Sequence, residues 1–139
     1  MLKNVAECDE KLEYYELVQR AKELVLLNPS VDQVIIVKTE KSNIYHFTNR
    51  LYIDGMFTGK SEDEEKFVEM LSDKKDQVIR YIVCMWNCCS IDVPSMNFRE
   101  LLLEASEKNA EAMLVLQSVT ELILTKMGMT MKNDINNKN

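Results

Sequence analysis

The run Val34-Ile35-Ile36-Val37 sets four β-branched residues side by side with no polar position among them. Side chains of a strand alternate between its two faces, so a strand made from this run must be covered on both. That requirement points to a sheet sandwiched between helices. Val78-Ile79 and Tyr81-Ile82-Val83, within a strand expected from Gln77 to Trp86, repeat it.

The segments between these runs supply the cover. From Cys8 to Leu27, apolar residues recur at Leu12, Tyr15, Leu17, Val18, Ala21, Leu24 and Val25, a helical spacing that Asn28-Pro29 ends. Glu40 to Asn43 reads as a polar turn, with Asn43 suited to a left-handed conformation, and Ile44 to Thr48 returns as a second strand. Asn49 to Lys60 reads as a loop. Ser61-Glu62-Asp63-Glu64 is a capping box opening a helix to about Leu71. Pro94 introduces a further helix reaching about Lys108. Met113-Leu114-Val115-Leu116 is short enough for a buried strand, and Ser118-Val119-Thr120-Glu121, a second capping pattern, predicts a last helix to Lys126 or Met127. Residues 129–139, rich in Asn and Lys, read as a disordered polar tail after a single domain over residues 1–128. The order α-β-β-α-β-α-β-α is that of an α/β/α three-layer sandwich with a mixed sheet.

Charge and composition remove several function classes. A net charge of −6 with lysines interleaved among acids leaves no basic stripe for a nucleic-acid backbone. No apolar run approaches the roughly 20 residues of a membrane span. The first ten residues hold no signal-peptide core, so a cytoplasmic setting is expected, with Cys8, Cys84, Cys88 and Cys89 as free thiols. There is no P-loop and no dinucleotide fingerprint.

Pro94, Arg99, Leu102 and Glu104 fall in register with the Pro-Cys-Gly-x-Cys-Arg-x-x-Leu-x-Glu signature of cytidine deaminases, and the chain resembles that family at several further points in order. Ile44-Tyr45-His46-Phe47-Thr48-Asn49 stands where the family has Ile-Tyr-x-Gly-x-Asn, and Leu51 stands at its following glutamate. Ser61 to Glu64 occupies the His/Cys-Ala-Glu window, and Val119-Thr120-Glu121-Leu122-Ile123 is similar to the family's closing helix. The resemblance implies a cytidine deaminase-like fold with four or five strands, and an oligomer built through the late elements. It places Asp63 or Glu64 at the family's catalytic glutamate, and Asn49, Tyr45 and Arg99 at ligand-contacting positions.

The resemblance also implies a zinc held by three Cys/His ligands, whose bound water is the nucleophile. The corresponding residues are Ser61 or Glu62, Ser95 and Phe98. Two readings follow. One is a degenerate, non-catalytic domain without cofactor that binds a nucleoside-like ligand or a protein partner. The alternative is a divergent zinc-dependent deaminase with a relocated metal site on Cys84, Cys88 and Cys89. Phe98 in the aligned register is expected to be buried against the second helix. A small acidic antagonist of a basic partner is a third reading, resting on charge alone.

Overall fold

A computed structural model describes residues 3–58 and 61–131, with side chains of the first helix described from Glu10 onward. Five strands form one mixed sheet in the order β2-β1-β5-β6-β7: β1 (Gln33–Thr39), β2 (Ile44–Asn49), β5 (Ile79–Trp86), β6 (Met113–Gln117) and β7 (Leu122–Lys126). Strand β1 pairs antiparallel with both β2 and β5, β5 runs parallel to β6, and β6 pairs antiparallel with β7. Helix α1 (Lys3–Leu27) covers one face, while α2 (Glu62–Asp73) and α3 (Met96–Ala105) cover the other.

The β-branched run divides as its alternation requires. Ile35 and Val37 pack with Phe67, Leu71, Phe98 and Leu102 beneath α2 and α3. Val34 and Ile36 pack with Leu17, Ala21 and Val25 beneath α1. All four are at most 1% exposed, so each layer contributes its full burial. Chain direction reverses between β1 and β2 through Ser42, not Asn43: Ser42 holds the positive φ of 69°, and the Asn43 side chain instead donates to Asp76 at 2.8 Å.

The capping box at Ser61 forms as expected. The Ser61 hydroxyl accepts the Glu64 N–H at 3.2 Å, and the Glu64 carboxylate accepts the Ser61 N–H. At Ser118 the same residue pattern does something else. Its hydroxyl accepts the Glu121 N–H at 3.2 Å, but its own N–H and O–H both donate to the Glu121 carbonyl. That closes a turn, and Leu122–Lys126 returns as β7 where a last helix was expected. The sheet thereby gains its fifth strand.

Three further departures are local. Residues 49–60 are not all loop: β3 (Tyr52–Ile53) and β4 (Met56–Phe57) make a small hairpin. Asp54 and Gly55 both carry positive φ at its tip, the pairing a two-residue turn requires. The helix after Pro94 starts at Met96 with Ser95 as its cap and ends at Ala105, followed by a 3-10 turn over Glu107–Glu111. Residues 127–131, the beginning of the expected tail included, are helical, and the rest of that tail lies outside the described residues. A Cβ at Gly128 would lie 3.0 Å from the Ala110 carbonyl oxygen, a tight contact that glycine avoids where the chain passes the 3-10 turn. No helix among the described residues is long and apolar enough to cross a membrane.

Candidate functional site

The N-termini of α2 and α3 meet at the end of β2, where Asn49 and Ser95 both reach Glu64. Register brings Gln33, Asn49 and Trp86 into one row across β1, β2 and β5 there. Above the row lies Glu64, on the same α2 face as Phe67, Val68 and Leu71. Three- and four-residue spacing puts these positions in line. Asn49 and Glu64 are both 0% exposed.

Glu64 accepts four hydrogen bonds. Its Oε2 receives the Asn49 amide at 2.9 Å and the Ser95 hydroxyl at 2.7 Å. Its Oε1 receives the Asn97 amide at 2.9 Å and the Ser61 N–H at 3.3 Å. Ser61 donates to the Asn49 side-chain oxygen, and the Asn49 amide also reaches Gln33 at 3.3 Å. Ser95 caps α3 by accepting the Phe98 N–H at 3.1 Å. Among the described residues, no buried side-chain nitrogen or oxygen lacks a partner. The site is closed on itself.

Of the two carboxylates the resemblance offers for the family's glutamate, Asp63 and Glu64, it is Glu64 that enters the site. Asp63 lines a surface depression with His46, Lys66 and Met70. Asn49 joins Glu64, but Tyr45 does not: it lies four residues back along β2, and its hydroxyl donates to Asp76 at 3.0 Å. Burial alone would raise the Asp76 pKa, but hydrogen bonds from Asn43, Thr39 and Tyr45 hold it below its usual value. A lowered folded-state pKa makes this contribution to stability full above the ordinary Asp value of about 3.9 and lost as pH falls through the folded value. Asp76→Asn is accordingly expected to flatten the acid limb of the unfolding midpoint measured against pH below about 4.

Arg99 is 9% exposed and serves the loop and the C-terminal segment. Its Nε donates to the Pro94 carbonyl at 3.0 Å and its Nη1 to Thr130 at 2.9 Å. The sequence resemblance marked Arg99, Asn49 and the glutamate window. It missed Ser95 and Asn97 as partners of Glu64, for which no local pattern exists, and Ser61 as a partner of Asn49.

The donor set can be tested against the zinc that the family resemblance implies. Zinc favours thiolate and imidazole donors. The side chains gathered at the two helix starts are two serines, two asparagines and one carboxylate, and Phe98 is fully buried against Phe47 and Phe67, with ring centroids 5.5 and 6.1 Å away. These residues do not fit the metal. Nor do Cys84, Cys88 and Cys89 converge elsewhere. Cys84 lies in the α2/α3 core, where burial pushes its thiol up, while Cys89 packs toward the α1 face. Cys88 is exposed, its thiol pKa lowered chiefly by the hydrogen bond with Ser90 at 3.3 Å. Among the described residues no group of three His, Cys, Asp or Glu side chains could hold a metal ion.

No protein-family model and no curated protein matches the chain. Solved structures do. The cytidine deaminase of Mycobacterium tuberculosis superposes with a TM-score of 0.58 at 14% identity, covering 84% of this chain and 92% of that one. Two single-residue variants of that enzyme superpose with TM-scores of 0.58 and 0.60, again at 14% identity and 84% coverage of this chain, with 93% and 90% of theirs covered. Five mixed strands between one helix and two, matched over most of both chains, establish a cytidine deaminase-like fold.

Proposed function

We propose that this chain is a non-catalytic cytidine deaminase-like domain that works as a binding module in the cytoplasm. The observation that carries the reading is the side-chain set at the two helix starts: at the positions the resemblance gives to the zinc ligands stand Ser95, the buried Phe98 and, two residues before Glu64, the exposed Glu62. A carboxylate at Glu64 has a role in deamination only beside a metal-activated water, since water otherwise holds a pKa of about 15.7. Here that carboxylate is fully buried and engaged on both oxygens.

Between a nucleoside-like ligand and a protein partner, the geometry favours the protein. The Asn49 amide that would meet a ribose is buried and bonded to Glu64 and Gln33. The nearby hairpin, in contrast, exposes Tyr52, Ile53, Met56 and Phe57 at 47–73%. An exposed apolar cluster of this kind is a feature of interaction surfaces. Elemental analysis of protein purified without chelator tests the reading: sub-stoichiometric zinc is expected, and one tightly held zinc per chain would refute it. Cytidine and uridine are expected to leave the unfolding midpoint unchanged, and a saturable rise with either would overturn the preference for a protein partner.

A further inference from the structure

The positive ends of α2 and α3 still converge on one point, and the group seated there is the carboxylate of Glu64. Helix N-termini favour negative charge, and helices of 12 and 10 residues each present such an end. A fully buried carboxylate is costly unless hydrogen-bonded. Its four donors come from three places: the α2 cap, the end of β2, and the first turn of α3. No Lys, Arg or His is among those four.

We propose that Glu64 is a structural counter-charge that ties the starts of α2 and α3 to the end of β2, an inference that rests on the non-catalytic reading of the same site. Ser61 and Ser95 each complete a circuit, capping a helix through one lone pair while the hydroxyl hydrogen-bonds onward, Ser61 to Asn49 and Ser95 to Glu64. Directionality follows from the acceptor-only carboxylate at the centre. An amide there sets an NH2 group against two of these donors, of which Asn49 alone has a second acceptor in the cluster, Gln33.

Thermal unfolding of five proteins tests this: wild type, Glu64→Gln, Glu64→Ala, Asn97→Ala and Asn97→Asp. Glu64→Gln, though isosteric, should lower the midpoint by about 10 °C. Glu64→Ala should fall as well, and sodium acetate, which matches the fragment removed, should raise its midpoint saturably relative to sodium chloride at equal ionic strength. Acetamide should not, and neither additive should move wild type or Glu64→Gln. Asn97→Asp, which faces one carboxylate with another, should fall below Asn97→Ala. These milder variants decide the matter if the Glu64 variants do not fold. A wild-type midpoint in Glu64→Gln, equal rescue by acetamide and acetate, or equal midpoints for the two Asn97 variants would each overturn the proposal. Deamination by wild type would refute the functional reading and leave this pattern of midpoints intact, so the two failures are distinguishable.

Discussion

Phe98→Ala is expected to destabilise the fold by about 3–5 kcal/mol, measured by equilibrium denaturation in urea. The ring is 0% exposed and sits in a trio with Phe47 and Phe67, whose own centroids are 4.5 Å apart. Truncation removes buried apolar area, breaks two aromatic contacts and leaves a cavity between α2, α3 and β2. Rigid elements on three sides limit how far the cavity collapses. A loss below about 1 kcal/mol would mean that Phe98 does not hold the position where the aligned signature has a metal ligand.

Asn109→Ala is the second large effect, expected at about 3–4 kcal/mol by the same measurement. Asn109 is 0% exposed, and its side chain joins three backbone groups at the start of β5 and the end of α3. Its oxygen accepts the Ile79 N–H at 2.8 Å, and its amide donates to the Gln77 and Leu102 carbonyls, both at 2.8 Å. The start of β5 and the last turn of α3 are thus joined through one side chain. Alanine strands the Ile79 N–H and the Gln77 carbonyl, each at the full penalty of an unmade bond, while the Leu102 carbonyl keeps the Ser106 N–H at 3.1 Å. Asn109→Asp should be no better, because it turns an acceptor toward two carbonyls. A midpoint within experimental error of wild type for either variant would contradict this.

Layer order was legible because it rests on burial period. Val34–Val37 alternates between two cores, and α2 shows its buried stripe in the spacing of Phe67, Val68 and Leu71. That stripe, extended back by three residues, also selects Glu64 over Asp63, a signal present in the sequence. Asp54-Gly55 likewise announces the β3–β4 hairpin, although the strands on either side are only two residues long.

Ser118 shows where a local pattern stops being decisive. Ser61-x-x-Glu64 and Ser118-x-x-Glu121 are the same motif, and in both the serine accepts the glutamate N–H at 3.2 Å. What separates them is the stretch beyond. After Ser61 the apolar residues recur at helical spacing, whereas Leu122-Ile123-Leu124 is a continuous run beside the exposed edge of β6. Partner strand, not cap, decided the outcome. Asn97 and Asn109 were invisible for a related reason. Each is tied to a group 30 or more residues away, Ile79 for Asn109 and Glu64 for Asn97, and these separations leave no local trace.

The account turns on whether the deaminase-like fold performs deamination, and ammonia release from cytidine, deoxycytidine and adenosine measures it directly. Purified wild-type protein at neutral pH, with zinc added or omitted, is expected to release none above the protein-free background. Sustained, enzyme-proportional release from any of the three would contradict the account.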